Sequence, residues 1–264
     1  MAPAHSPTRT FATLLLLGLM IAVFIPLGNW QLRRATLRKH TLHAIEAGER
    51  SAPLPLDANL PATALRNWRP ATMRGVWLDR YTVLLQNRGH NGRLGYWAAT
   101  PLLIDAPSNT AVLVLRGWLP FTGSKDTPHL PAAPAGEQRI DGTIVDAVPR
   151  TFELWSFSGA SVDKLPGKFP TPGGVLPEVQ NLTLNDYARA TGLNLLPAVV
   201  EQTSASADGL IRDWPRPSID YARNNGYALQ WFSFAAIAAG AWLVVAWRAL
   251  RRWRTTHTPT PPQT

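Results

Sequence analysis

Two long apolar runs without a charged residue lie near the two ends of the 264-residue chain, at Phe11–Leu27 and Gly226–Trp247. An α-helix needs about 20 apolar residues to cross the ~30 Å hydrocarbon core of a bilayer. Both runs reach that length once their uncharged flanks are included. We therefore predict transmembrane helices at residues 10–30 and 226–247, with one extramembrane domain at 31–225 between them.

Each run has a simpler explanation that we consider less favourable. The first run could be a cleaved signal peptide, but it exceeds a typical signal-peptide core, and Pro26–Trp30 is a poor cleavage site. The second run could be a buried helix of a soluble protein. Its aromatic residues lie towards both ends, as in membrane aromatic belts, and its middle is rich in small residues that would let another helix approach.

The charges beside the runs predict the orientation, with one conflict. The tail after the second run holds Arg248, Arg251, Arg252 and Arg254, and such basic clusters stay in the cytoplasm. The cations that follow the first run argue the other way, but long domains translocate largely regardless of charge. We predict a bacterial inner-membrane protein that contacts the lipid bilayer, with cytoplasmic tails at 1–9 and 248–264 and a periplasmic domain.

Composition excludes several classes of function. The chain has no cysteine, which excludes disulfides, zinc–thiolate sites and iron–sulfur clusters. Its net charge of +9 sits largely beside the apolar runs, and the middle lacks a dense basic stripe, so no nucleic-acid binding is expected. The hydrolase, nucleotide-binding and zinc-protease motifs are also absent. We expect a protein that is not an enzyme; a membrane-bound hydrolase on a small β domain is the weakest alternative.

The middle of the chain predicts one helical segment followed by a β-rich domain. Residues 31–50 continue the first helix, the Pro-rich segment 51–61 ends it, and residues 68–203 form the β-rich part. The fold class is thus an α+β membrane protein, two transmembrane helices flanking a mainly antiparallel β domain, which is a sheet or a small barrel. The candidate strands, with a turn region at Asn87–Gly95 and a short helix at Leu184–Thr191, are Arg69–Leu78, Thr82–Arg88, Tyr96–Ile104, Ala111–Pro120, Arg139–Val148, Thr151–Phe157 and Leu195–Gln202.

Four sequence blocks stand out, although each alone has a structural explanation as an interfacial, turn or buried-strand segment. The blocks are Gly28-Asn29-Trp30-Gln31-Leu32-Arg33-Arg34; Asn87-Arg88-Gly89 with Gly95-Tyr96 through Thr100-Pro101-Leu102; Val112 through Arg116-Gly117-Trp118-Leu119-Pro120; and Arg212-Asp213-Trp214-Pro215 with Tyr227-Ala228-Leu229-Gln230-Trp231-Phe232. In this order, and between two apolar runs, they resemble the SURF1 family from about Gly28 to Trp231.

The resemblance implies assistance in assembly rather than catalysis. SURF1-like proteins assist the biogenesis of haem–copper terminal oxidases, chiefly cytochrome c oxidase, and bacterial members are reported to bind haem a and help place it in subunit I. The implied partners are cytochrome c oxidase subunit I and the haem A synthase. The alternative is a cofactor-free membrane scaffold that holds oxidase subunits while other factors deliver haem and copper.

One departure bears on the cofactor. The family commonly carries a His three residues before the Tyr that opens the second span, and here Asn224 precedes Tyr227 at that spacing. An amide is a poor axial ligand for haem iron. His40 and His43, spaced i, i+3 on the predicted extramembrane helix, are substitute candidates, although two solvated His are the commoner explanation.

The remaining candidate site residues divide into two groups. Arg33 and Arg116, with Arg34, are candidates for haem propionates, because guanidinium groups pair well with carboxylates. The candidates for partner contact are Trp30, Gln31, Arg88, Tyr96, Trp118, Gln230 and Trp231.

Overall fold

The computed structural model describes residues 7–121, 123, 130–151, 165–167, 169–171 and 174–256. Contacts divide the chain into a helix-pair unit, residues 1–42 with 217–264, and a sheet unit, residues 43–216. The elements in chain order are α1 (Pro7–Glu49), β1 (Leu54–Pro55), β2 (Pro70–Trp77), β3 (Val83–His90), β4 (Arg93–Asp105), β5 (Thr110–Pro120), β6 (Glu137–Val145), β7 (Glu178–Val179), α2 (Leu184–Thr191), β8 (Asn194–Gln202) and α3 (Tyr221–Thr256).

Both terminal helices are long and apolar enough to cross a membrane. Helix α1 has 43 residues, which corresponds to ~65 Å and is more than a bilayer core requires. The predicted helical extension at residues 31–50 is confirmed, because α1 continues without interruption to Glu49. The apolar side chains of Leu15, Leu19 and Ile237 are largely exposed, as expected for helices whose solvent is lipid.

Small residues allow the two helices of the helix-pair unit to approach closely. A Cβ atom added to Gly28 of α1 would lie 2.8 Å from the Phe232 ring of α3, so only glycine fits there. Ala235 and Ala238 are buried in the same unit. Two small residues of the second apolar run are therefore buried in the unit that the two long helices form.

The sheet unit contains an eight-stranded mixed sheet with the order β1-β2-β6-β8-β5-β4-β3-β7. Two additional residue pairs join β2 to β4. The predicted sheet is confirmed and the small barrel is wrong: the sheet is mixed, and five of its pairings in the described part of the chain are antiparallel. Three pairings are parallel, β1–β2, β5–β8 and β3–β7. Strand direction was not predictable, because an apolar buried strand has the same composition in either orientation.

The bounds of the predicted strands agree with the observed ones within a few residues. The exceptions are the predicted turn region Asn87–Gly95 and the predicted strand Thr151–Phe157. The predicted turn region Asn87–Gly95 is a β-hairpin whose turn is confined to Asn91 and Gly92, both at positive φ (47° and 75°). An Asn-Gly pair suits such a two-residue turn, because both residues tolerate the left-handed conformation. The predicted strand Thr151–Phe157 lies outside the described residues, apart from Thr151, which is not in a strand.

Strand β5 carries the core on both of its faces. Val112 and Val114 pack into one apolar cluster, and Leu113 and Leu115 pack into a second cluster on the opposite face. This alternation follows from the two-residue period of a strand. A central strand with both faces covered explains why the whole segment reads as a continuous apolar run.

The predicted bounds of helix α2, Leu184–Thr191, are confirmed. Both ends of the helix carry caps that are recognisable in the sequence. The Thr183 Oγ1 atom accepts a hydrogen bond from the Asp186 N–H at 3.2 Å, and Gly192 closes the helix at φ 70°. Tyr187 is fully buried against the sheet, and its hydroxyl donates to the Tyr81 carbonyl. The cap residues thus fix the helix length, and one aromatic side chain attaches it to the core.

Candidate functional site

Arg116 occupies a β-bulge in the pairing of β4 with β5. Ala98 pairs with Gly117 and Ala99 with Leu115, so Arg116 is the extra residue. A bulge redirects a side chain that the regular alternation would place elsewhere. The Arg116 side chain is only 1% exposed.

The Arg116 guanidinium belongs to a charge cluster that we define as Asp79, Arg116, Asp208 and Arg212, of which Asp79 is the most exposed member. Its Nη1 lies 3.5 Å from Asp79 Oδ1, and its Nη2 lies 3.3 Å from Asp208 Oδ2 and 3.2 Å from the Pro131 carbonyl. Arg212 Nη2 lies 2.8 and 2.7 Å from the two carboxylate oxygens of Asp208. Asp208 therefore forms ion pairs with two guanidinium groups inside the sheet unit.

The pKa of Asp208 reflects two opposing effects. Burial of the carboxyl group raises its pKa, whereas the hydrogen bonds and charge of Arg212, the Leu210 N–H and the charge of Arg116 lower it. The net result is a pKa below the ordinary value of an aspartate. The folded sheet unit thus holds Asp208 as an anion.

The second and third sequence blocks pack against each other through Trp118. Its indole Nε1 donates to the Arg88 carbonyl at 2.8 Å, and a Cβ atom on Gly95 would lie 2.6 Å from the indole. The Arg88 guanidinium donates to the carbonyls of Pro149 (2.7 Å) and Gln180 (2.9 Å). Gly95 and Arg88 therefore have packing roles that their positions in the sequence did not show.

The fourth block joins the same region through backbone and indole contacts. Ile211, directly before Arg212, exchanges two backbone hydrogen bonds of 2.7 and 2.9 Å with Trp118. The Trp214 ring lies edge-on to Trp97 with a centroid separation of 5.4 Å. The second block, the third block and the first part of the fourth block, Arg212–Pro215, thus converge in one part of the sheet unit.

Four of the candidate site residues are buried inside the sheet unit. The exposed fractions of Arg88, Tyr96, Arg116 and Trp118 are 3%, 6%, 1% and 3%. Burial raises the pKa of Tyr96, and the adjacent Glu178 carboxylate raises it further. The predicted partner contacts of Arg88, Tyr96 and Trp118 stay predictions, as does propionate binding by Arg116. The burial of these four side chains argues against both roles.

The helix-pair unit brings Gln31 and Asn224 into direct contact in an amide cluster that also contains Arg38. Asn224 Nδ2 donates to Gln31 Oε1 at 2.6 Å, and Arg38 Nη1 donates to Asn224 Oδ1 at 2.6 Å and to the Asp220 carbonyl at 2.8 Å. Asn224 is only 6% exposed. Both ends of its amide are therefore engaged, and the position does not fit a ligand to haem iron.

The remaining candidates on the helices are largely accessible. Trp30 is 51% exposed, Arg33 and Gln230 are exposed, and Trp231 is half-buried with its ring 5.6 Å from that of Phe24. A surface of this kind is available to a partner or to lipid headgroups.

His40 and His43 are both exposed on α1, and His43 lies 3.8 Å from Glu46. Within the described part of the chain, no three His, Asp or Glu side chains are grouped so that they could hold a metal ion. A haem ligand at either His therefore stays a prediction.

A comparison with protein-family models decides the relationship that the four blocks suggested. The sequence model of the SURF1 family matches residues 18–236, which include the whole sheet unit and part of each apolar run. The chain belongs to the SURF1 family. This family is linked to cytochrome c oxidase assembly and is a family of assembly factors rather than a known enzyme class. A search among curated proteins found no match.

The structure of this SURF1-family protein also contains functional candidates that sequence reasoning missed. Asp208 lies in a short segment of small and polar residues, where nothing in the pattern indicates a buried anion. Arg38 is one of several cations that follow the first apolar run, yet it contacts Asn224 across a separation of 186 residues. Glu201 ends an apolar strand and is 6% exposed. The sequence offers one signal for this buried carboxyl group: Glu201 lies within an apolar strand, where side chains are expected to be buried.

Proposed function

We propose that this SURF1-family protein assists the assembly of a haem–copper terminal oxidase, at the step where haem a enters subunit I. The observation that carries the proposal is the family match over residues 18–236, which covers the sheet unit and reaches into both apolar helices. The two helices would anchor the chain in a bacterial inner membrane, with the sheet unit in the periplasm and both tails in the cytoplasm. Subunit I and the haem A synthase would be its partners.

The accessible residues of the helices would make the partner contacts. Trp30 and Gln230 are exposed, and an aromatic side chain with adjacent polar groups suits the headgroup level of a membrane or a partner's helix. Arg33 is exposed and would be the cation available for a carboxylate of haem or partner. The sheet unit would act as a rigid body, because its signature residues are in its interior.

A cofactor-free scaffold is the second candidate function, and one observation favours it. Asn224 stands at the position of the family His, and its amide is engaged by Gln31 and Arg38. A protein without an axial ligand at this position would hold subunit I while other factors bring haem a.

One purification distinguishes the two functions. The full-length protein would be co-expressed with the haem A synthase and subunit I, purified in detergent, and examined by absorbance spectroscopy and by detection of subunit I. We expect subunit I to co-purify. A haem a band in the protein freed of subunit I supports haem transfer, and a colourless protein supports the scaffold. Absence of both subunit I and haem a would contradict both functions.

A further inference from the structure

A cavity of about 380 Å³ opens in the sheet unit, and none of the residues predicted to contact partners lines it. Its lining includes Trp68, Trp214, Glu201 and Thr203. None of these four residues was a candidate in the sequence analysis for ligand or partner binding. The cavity combines aromatic walls with a carboxyl group, which is the composition of a specific binding site rather than of a packing defect.

Glu201 supplies a carboxyl group without a hydrogen-bond partner among the residues that the structure describes. The residue is 6% exposed and lies near the end of β8. Burial raises the pKa of Glu201 to about 7, although the charge of Arg216 opposes the rise. A buried carboxyl group without a partner is costly, so a guest that donates hydrogen bonds would be favoured here.

The other charged residues of the lining leave a deficit of positive charge. Arg212 is held by Asp208, and Arg216 Nη1 lies 2.6 Å from Glu49 Oε1. Asp213, on the rim, lies 3.8 Å from His90. The carboxylates of Glu49, Glu201 and Asp213 therefore outnumber the two guanidinium groups of the lining, and one of those two is already paired with Asp208.

The two tryptophans are held in fixed positions by the fold. The Trp214 Nε1 atom donates to the Gln202 carbonyl at 2.8 Å. Trp68 has a φ of 68°, in the left-handed region that residues other than glycine rarely adopt, and its backbone N–H donates to the Ile144 carbonyl at 2.8 Å. Strained backbone of this kind clusters at ligand sites, where it positions a side chain.

We propose that this cavity binds the guanidinium group of an arginine side chain from a partner polypeptide. A planar guanidinium stacks on indole rings and forms paired hydrogen bonds with a carboxylate, so the two features of the cavity match one chemical group. An ammonium ion is spherical and strongly hydrated, and it would use the indole walls less well. The site does not depend on a role in oxidase assembly.

Calorimetric titration of the full-length protein in detergent micelles tests the site with N-acetyl-L-argininamide as the probe. We expect affinity about tenfold higher at pH 8 than at pH 6, because the cation requires the ionised form of Glu201, whose pKa is about 7. N-acetyl-L-lysinamide should bind more weakly. Ethylguanidine, which has the cation but no backbone, should also bind more weakly.

Glu201→Gln keeps the side-chain size but removes the charge, so it should weaken binding at pH 8 by about tenfold or more and abolish the pH dependence. Glu137→Gln, at an exposed position of β6 outside the cavity, is the matched control and should bind as the wild type does. Near-ultraviolet circular dichroism verifies that both variants are folded.

Three results would overturn the inference. The first is no detectable binding by the wild type at millimolar probe, and the second is equal binding by the Glu201→Gln variant. An affinity of the wild type that is the same at pH 6 and pH 8 would also overturn it, independently of any variant. If ethylguanidine binds as tightly as N-acetyl-L-argininamide, the ligand is a small free cation, and the assignment to a partner polypeptide is wrong.

Discussion

Asp208→Asn is expected to lower the free energy of unfolding of the sheet unit by about 3–5 kcal/mol at neutral pH. The Asp208 side chain is 3% exposed and contacts both Arg116 and Arg212. An amide of the same shape carries no negative charge, so the substitution leaves two buried guanidinium groups without the anion that contacts both. Urea unfolding of the full-length protein in detergent, followed by tryptophan fluorescence, measures the change.

The pH dependence of this effect has a definite sign. Because the pKa of Asp208 is lower in the folded protein, its contribution to stability is present above the unfolded pKa of about 3.9 and is lost as the pH falls through the folded value. The difference between the wild type and Asp208→Asn should therefore be full at pH 7 and should shrink below about pH 4.

Asp79→Asn is the matched control within the same charge cluster. Asp79 also contacts Arg116, at 3.5 Å, but its side chain is 40% exposed. Water compensates an exposed group, so this substitution should cost only about 1 kcal/mol. Equal costs for the two variants, or a cost below about 1 kcal/mol for Asp208→Asn, would show that the cluster does not stabilise the fold as we describe.

Asn224→His is expected to raise the haem a content of the purified protein above that of the wild type, to about one per chain. The substitution places an imidazole at the position where the SURF1 family commonly has one. It also breaks the hydrogen bonds with Gln31 and Arg38, which are 2.6 Å long, at a cost of about 1–2 kcal/mol to the helix-pair unit. Absorbance spectra of protein made together with the haem A synthase report the haem content.

Asn225→His is the control for this experiment, because Asn225 is adjacent but exposed, whereas Asn224 is buried. A histidine at position 225 adds the same chemical group outside the amide cluster, and we expect no gain of haem a. If both variants remain colourless, the position of the family His does not determine haem binding in this chain. If both gain haem equally, the binding is not specific to position 224.

Elements with local chemical signals were predictable from the sequence. Helix α2 has the same bounds in the prediction and in the structure, because Thr183 and Gly192 act as caps through contacts within a few residues. The core of β5 was recognised from its continuous apolar composition. Local signals suffice where the interaction that fixes an element is itself local.

The partners of buried charges were not predictable, because they are distant in sequence. Arg116 and Asp208 are 92 residues apart, and Arg38 and Asn224 are 186 apart. Arginine and tryptophan are common both at partner interfaces and in paired, buried positions, so composition did not distinguish these roles for Arg88 and Trp118. Only the fold, which brings carbonyl and carboxylate partners to them, makes the distinction.

The most direct test of a role in oxidase assembly is the oxidase content of cells from which the gene has been deleted. Membranes of the deletion strain, of the parent and of a strain with the gene restored would be compared for the haem a spectrum and for oxygen consumption by the oxidase, with subunit I measured by immunoblot. We predict that deletion lowers the haem a signal and the oxidase activity and that the restored gene recovers both. Unchanged haem a and oxidase activity in the deletion strain would contradict the proposed function.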